Sequence, residues 1–155
     1  MVIVMKKYLL TFLLAIIIGF FLSNIFLNQY NDKSKILVSS SGEELYFIQY
    51  GVYSSEASME ENTLDLQSYI YNIIDDKYYV FVGITRNKDN ADKISKYYKE
   101  NNHDTIIKQY FVNNNTFLNN LYNYDKVLSN TKDSIVISSI TNQVLINYEE
   151  VVING

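Results

Sequence analysis

The side chains that most often do chemistry in proteins are scarce in this sequence. It has no Cys and a single His, which excludes thiolate nucleophiles, thiolate metal sites and multi-histidine metal clusters. That residue, His103, stands in the polar run 101–104 and is interpreted as a solvated loop residue. The adjacent carboxylates Glu60-Glu61, Asp75-Asp76 and Glu149-Glu150 should not converge, because neighbours on a helix or strand point in different directions. We therefore predict a protein that is not an enzyme and uses no metal or cofactor.

Binding chemistry is concentrated instead in the aromatic strand predicted at residues 46–53. Side chains alternate along a strand, so one face of this strand should pack on helices while the other can stay open. The open face would carry Phe47, Gln49, Gly51 and Tyr53, flanked by Tyr79 and Phe81 of a second strand. These residues supply one amide, one position without a side chain and four aromatic rings. An amide both donates and accepts hydrogen bonds, and an aromatic ring offers an apolar surface. For the aromatic residues, packing against the C-terminal part of the chain is the alternative.

Strands and helices that position these residues follow one another in a repeated order. Runs of aromatic and β-branched residues predict strands at 46–53, 78–85 and 105–112. A further short strand at 69–74, at the end of the first helix, is left as an alternative. A first helix, starting at Ser54 or Ser58, has an apolar face at helical spacing: Met59, Leu66, Ile70 and Ile73. A second helix has its cap within 87–89 and an apolar face made by Ala91, Ile94 and Tyr98.

This order contains an internal duplication. Placing Tyr46 on Tyr78 pairs Gly51 with Gly83, and each strand is followed by a polar turn and a helix. Two such halves predict an α+β fold, a ferredoxin-like β-α-β-β-α-β sandwich with a four-stranded antiparallel sheet and both helices on one face. We assign this unit to residues 43–112.

The N-terminus has the pattern of a membrane anchor. Residues 8–27 contain no charge, and about 20 helical residues span the roughly 30 Å of a bilayer core. A cleaved secretory signal is the alternative, although the run is long for one. Lys6 and Lys7 before the span favour a cytoplasmic N-terminus, which places the rest of the chain outside the cell. We therefore predict a single-pass protein of the cell membrane, with a transmembrane helix at 1–27 and a linker at 28–42.

Two amphipathic helices are predicted in the C-terminal extension, residues 113–155. The first has apolar residues at helical spacing: Phe117, Leu121, Tyr124 and Leu128. The second continues the same pattern: Ile137, Ile140, Val144, Tyr148 and Val151. Their apolar faces must pack on each other, the sheet, a second copy or another envelope protein, and packing within the chain is favoured because short helices are marginal alone. If they lie on the open face of the sheet, they block it.

At this point residues 43–112 resemble the SPOR domain, the sporulation-related repeat of bacterial cell-wall proteins. The first half carries the pattern Tyr46-x-x-Gln49-x-Gly51-x-Tyr53 and the second half Tyr78-x-Val80-x-Val82-Gly83. Phe81 and Thr85 depart from the residue types that the family often has at those positions. The resemblance implies binding to peptidoglycan, at glycan strands stripped of stem peptides at division or sporulation septa.

The resemblance gives roles to the candidate residues of the open face. Gln49 would bond to sugar hydroxyls and acetamido groups, Gly51 would let a glycan strand approach, and the aromatic rings would lie against pyranose faces. A net charge of -4 excludes nucleic acid as a partner. The alternative is a bitopic scaffold whose outer domain and C-terminal helices bind another division or sporulation protein without touching glycan.

Overall fold

The computed structural model describes residues 41–155 of the chain. The predicted anchor and nearly all of the predicted linker lie outside the described residues, and no helix within 41–155 is long and apolar enough to cross a bilayer. The elements follow in this order: β1 Glu43–Tyr53, α1 Glu56–Asn62, β2 Ile70–Ile74, β3 Lys77–Thr85, α2 Lys88–Glu100, β4 Ile106–Val112, α3 Asn115–Asn130, α4 Ser134–Tyr148 and a π-helical turn Glu149–Ile153.

The four strands form one antiparallel sheet in the order β2-β3-β1-β4. The two strands that correspond in the duplication, β1 and β3, are therefore neighbours at its centre. Strands β2 and β3 are joined by Asp75 and Asp76, whose φ angles of 49° and 58° suit the tight turn of a hairpin. The predicted α+β, ferredoxin-like element order is observed within residues 43–112.

The first helix is shorter than its predicted apolar face. Ser55 caps its start by accepting from the backbone N–H of Ser58, and Thr63 closes its end by donating its hydroxyl to the carbonyl of Met59. Ile70 and Ile73, predicted on this helix, lie in β2 instead. The helical spacing was wrong for these two residues, and the short strand left open at 69–74 is observed, because this β-branched run pairs with β3 at the edge of the sheet.

Two bulges interrupt the pairing of β1 with β3. Ile48 is opposite Gly83, Gln49 is opposite Phe81, and Gly51 is opposite Val80, so Val82 and Tyr50 are each left without a cross-strand partner. A bulge places one extra residue in a strand and shifts the alternation of the side chains that follow it. The residues of β1 after Tyr50 therefore present their side chains to faces opposite to those predicted.

Helices α1 and α2 cover one face of the sheet, which we call the helix face. Met59 of α1 packs with Tyr71 and Val80, and Ile94 of α2 packs with Ile48 and Val82. Asn87 caps α2 as predicted, accepting from the backbone N–H groups of the first turn. Both helices of the core thus lie on the same side of the sheet.

The opposite face, which we call the Phe47 face, packs against the C-terminal helices. The cluster there joins sheet residues with residues of α3, α4 and the π-helical turn: Leu45, Phe47, Ile70, Phe81, Ile84, Val112, Phe117, Leu121, Val144, Leu145, Tyr148 and Val152. The predicted pair of amphipathic helices is observed, and its apolar faces are buried within the chain. Leu128 and Ile137 extend the same helices to the cluster of the helix face.

Helix α3 is fixed to the core by a buried carboxylate. Asp125 is 7% exposed and accepts from the Thr85 hydroxyl, the Arg86 backbone N–H at 2.9 Å and the Asn90 amide at 3.3 Å. Burial raises the pKa of the Asp125 carboxyl, and these donors partly oppose that rise. The Arg86 side chain pairs with Glu43 beside this cluster. These hydrogen bonds join residues that are 35 to 40 positions apart in the sequence, and they connect α3 to β3 and α2.

We expect Asp125→Ala to lower the free energy of unfolding by roughly 1–3 kcal/mol, because three donors lose their buried acceptor. The raised pKa of Asp125 also predicts a pH dependence, because the folded state binds the proton of this carboxyl more tightly than the unfolded state does. The contribution of this proton binding to the free energy of unfolding falls as pH rises from 3.8 through the folded-state pKa. Urea denaturation of the full chain by circular dichroism measures both effects. Asp104→Ala, at an exposed loop carboxylate, is the control. Equal stability of both variants would contradict the prediction.

Gly83 lets α4 approach β3 closely. A Cβ atom at this position would lie 3.1 Å from Ile94, 3.2 Å from the Cγ2 methyl of Thr141 and 3.3 Å from Ile48. We expect Gly83→Ala to lower the free energy of unfolding by roughly 1–3 kcal/mol, because the added methyl group overpacks this contact. Thr141→Ser removes that methyl and keeps the hydroxyl that donates to Ile137, so the double variant should regain part of the loss. Strict additivity in the same denaturation experiment would show that this contact does not limit the approach of α4.

Candidate functional site

Three of the six predicted site residues are brought together on the Phe47 face. Gln49 and Phe81 are direct cross-strand neighbours, and the rings of Phe47 and Phe81 meet edge to face with centroids 5.6 Å apart. All three are buried: Phe47 is 0%, Phe81 1% and Gln49 7% exposed. The predicted face exists as a patch of the sheet, but it is not open.

The C-terminal helices close this face. The Tyr148 ring of α4 lies edge to face on Phe47, at a centroid distance of 5.8 Å, and Phe117 of α3 lies 5.0 Å from Tyr148 on its other side. Val144 and Leu145 complete the cover, and neither is exposed. Of the two alternatives left open by the sequence, packing of this face against the C-terminal helices is observed, because the amphipathic helices bury their apolar sides on an apolar surface of their own chain.

Two polar atoms are trapped beneath this cover. Within residues 41–155, neither the Gln49 Oε1 atom nor the Tyr148 hydroxyl has a hydrogen-bond partner. Burial raises the pKa of the Tyr148 hydroxyl, which keeps it neutral. Each unsatisfied group costs about 1–3 kcal/mol. Apolar contacts therefore dominate the packing at this face, and they bury these two polar atoms without giving them hydrogen bonds.

Displacing the cover would expose several large apolar side chains. Five side chains of the helices are fully buried: Phe117, Leu121, Val144, Leu145 and Tyr148. At about 1.5–3 kcal/mol each, exposing them costs on the order of 10 kcal/mol, more than the roughly 8 kcal/mol that a micromolar ligand supplies. Glycan contact with Phe47, Gln49 and Phe81 would therefore require the helices to leave the sheet, at a cost above the binding free energy of a micromolar ligand.

Gly51 and Tyr53 lie on the helix face, and the prediction that they share a face with Phe47 was wrong. The bulge at Tyr50 reverses the alternation. The Tyr53 side chain packs beside Tyr78 and folds back over Gly51, where a Cβ atom would lie 2.5 Å from its hydroxyl oxygen. The absence of a side chain at Gly51 accommodates that ring.

Tyr79 is the sixth predicted residue, and it remains partly exposed at the margin of the Phe47 face. It lies between Val52 and Asn72 in a row that crosses β1, β3 and β2. Val52 is 40% exposed. Among the candidate residues of the Phe47 face, Tyr79 is thus the one that keeps solvent contact.

His103 is not the solvated loop residue predicted from the sequence. Its side chain is 23% exposed, its Nδ1 atom lies 3.1 Å from the Tyr50 hydroxyl, and its Nε2 atom lies 3.3 Å from the Asp65 carboxylate. Burial and the nearby Asp65 charge raise the pKa of Tyr50. Sequence reasoning missed this group because Asp65 and Tyr50 are 38 and 53 positions from His103 and no local pattern connects them to it.

A groove opens beside His103, between the loop after α1, the end of α2 and the first half of α4. We call it the α2–α4 groove, and its lining is mostly polar or aromatic: Asp65, Leu66, Gln67, Tyr97, Tyr98, Asn101, His103, Ser138 and Asn142. It has a volume of about 130 Å³ and continues into an open cavity of about 540 Å³. Amide, hydroxyl and aromatic groups are combined here at the surface, as they were expected to be on the Phe47 face.

The carboxylates and His103 are possible metal ligands by residue type. Within residues 41–155, no group of three or more His, Asp or Glu side chains could hold a metal ion. The adjacent carboxylates Asp75 and Asp76 occupy an exposed hairpin turn, and Glu60 and Glu61 are exposed on α1. The described carboxylates therefore offer hydrogen-bond acceptors, not a metal centre.

Comparisons with known proteins place the fold beside one solved domain. No family model matches the chain, and no curated protein matches it. A solved structure does: the solution structure of the peptidoglycan binding domain of the B. subtilis cell wall lytic enzyme CwlC. It is 26% identical, with a TM-score of 0.39, and the match covers 47% of this chain and 98% of that domain. Peptidoglycan binding, which is named for that domain, is also what the resemblance of residues 43–112 implies.

Proposed function

We propose that this protein is a SPOR-like, peptidoglycan-binding protein that recognises glycan strands denuded of stem peptides at division or sporulation septa. The observation that supports this most is the fold of residues 43–112. They form the duplicated sheet-and-helix unit on which the sequence resemblance rests, with Gln49 and Gly51 flanking the bulge of its central strand. In this proposal the N-terminal segment anchors the chain in the cell membrane and the folded part lies outside the cytoplasm.

The glycan contact in this proposal lies outside the area that α3 and α4 cover. Phe47 and Phe81 belong to the cluster that holds the C-terminal helices on the sheet, and Gln49 is buried beside Phe81. The exposed surface beside α2 keeps neutral polar and aromatic side chains accessible. Amide and hydroxyl groups with a nearby ring are what sugar hydroxyls and pyranose faces require.

A second candidate function is favoured by the closed face itself. A scaffold that binds another envelope protein needs no open sheet, and the helices expose apolar side chains on their outer sides, among them Tyr122 at 60% and Ile135 at 79%. Exposed single apolar residues are common on soluble domains, so this surface alone does not define a partner. Glycan binding is the proposal because it accounts for the duplicated core as well.

Co-sedimentation with purified sacculi tests the proposed function. The full chain, kept in a detergent without a sugar head group, should pellet with sacculi, and the pelleted fraction should rise after an amidase has removed the stem peptides. Soluble glycan fragments from muramidase digestion should compete it off. A protein that is folded by circular dichroism and does not pellet with either preparation would sink the proposal and leave the scaffold function.

Gln49→Leu separates a core role of this residue from a ligand-binding role. Leucine has a similar volume and removes the buried Oε1 atom that has no partner. We expect the free energy of unfolding to rise by about 1 kcal/mol and pelleting with amidase-treated sacculi to stay unchanged. Gln109→Leu, at an exposed glutamine of β4, is the matched control and should leave stability almost unchanged. Loss of pelleting with a stable Gln49→Leu protein would return the binding site to the Phe47 face.

A further inference from the structure

The α2–α4 groove has the chemistry of a site for a neutral sugar. Its walls come from three segments far apart in sequence: the loop after α1 with Gln67, the last turns of α2 with Tyr97 and Asn101, and α4 with Ser138 and Asn142. The C-terminal helices that close the Phe47 face therefore also build this groove. It exists only in the complete fold of residues 43–155.

The polar groups of the groove are held in place. The Gln67 Oε1 atom accepts from the Asn142 amide at 2.7 Å and from the Ser138 hydroxyl at 3.4 Å. Both bonds use the carbonyl oxygen of Gln67, and neither uses its NH₂ donors. The Asn101 amide donates to the Tyr97 carbonyl at 2.8 Å. The pairing orients the amides before a ligand arrives, which lowers the entropy cost of binding.

The charged groups that line the groove suit a neutral sugar unit better than an anionic group. Within the described part of the chain, no Lys or Arg lines either the groove or the cavity that continues it. Two carboxylates do: Asp65 beside His103, and Glu100 at the outer cavity. Phosphate groups and nucleic acid need cations, whereas hydroxyl donors of a neutral sugar are suited by carboxylate and amide oxygens.

Tyr97 forms an aromatic wall of the groove. Tyr97 is half-buried, lines both cavities, and packs edge to face against Tyr98 with centroids 5.2 Å apart. Its ring offers an apolar surface next to amide donors and acceptors, which fits a pyranose ring with an acetamido substituent. We propose that the α2–α4 groove binds a neutral N-acetylhexosamine unit of a glycan strand. This inference rests on the proposed function and names the surface that carries it.

Titration with the β-1,4-linked tetramer of N-acetylglucosamine tests the groove. The full chain in the same sugar-free detergent should bind the tetramer, measured by calorimetry, and should bind the glucose tetramer more weakly, because glucose lacks the acetamido group. Gln67→Glu keeps the oxygens that accept from Asn142 and Ser138, but it removes the NH₂ donors and adds a charge. We expect it to weaken binding of the N-acetylglucosamine tetramer by roughly tenfold or more.

Gln143→Glu, on an exposed side of α4 outside the groove, makes the same charge change and should bind as the unaltered chain does. Tyr97→Leu removes the ring and is a second variant whose fold is checked by circular dichroism. If the chain pellets with sacculi but Gln67→Glu and Tyr97→Leu bind the tetramer unchanged, the groove assignment is overturned and the proposed function stands. If the chain binds neither sacculi nor the tetramer, both are overturned.

Discussion

The packing of the Tyr148 ring between Phe47 and Phe117 is the contact on which the rest of the structure depends. It joins the centre of the sheet to both C-terminal helices, and the side chains around it are fully buried. Helices of this length are marginal in water by themselves, so their stability comes from this burial. The same contact closes the Phe47 face and brings Ser138 and Asn142 of α4 to the edge of the groove.

A single extra residue in β1 has an equally large effect on which residues can act together. The bulge at Tyr50 sends Tyr53 to the helix face, where it covers Gly51, while Gln49 stays opposite Phe81 under the C-terminal helices. Residues that stand in one pattern along the sequence are thereby divided between two sides of the sheet. A pattern of few residues can thus persist in a fold whose surface has been rearranged.

The proposed binding surface lies elsewhere on the fold than the predicted one and offers similar chemistry. The expected combination of an amide with aromatic rings is buried at Gln49 and Phe81, and a similar combination is accessible at Gln67 and Tyr97. His103 belongs to this second surface through its bonds with Tyr50 and Asp65. The groove contains residues from the core and from the C-terminal extension, so the two parts act as one unit at this surface.

Local signals in the sequence determined most of the elements of this fold. The aromatic strands, the Asn87 cap and the spacing of Phe117, Leu121 and Leu128 depend on neighbours within a few positions, and each is found where it was predicted. Only the tertiary structure decided which face is closed, where Tyr53 points and what His103 touches. These outcomes depend on a bulge between two paired strands and on contacts between residues more than 30 positions apart. A local sequence pattern does not predict them, because the free energy of such contacts depends on residues far away in the sequence.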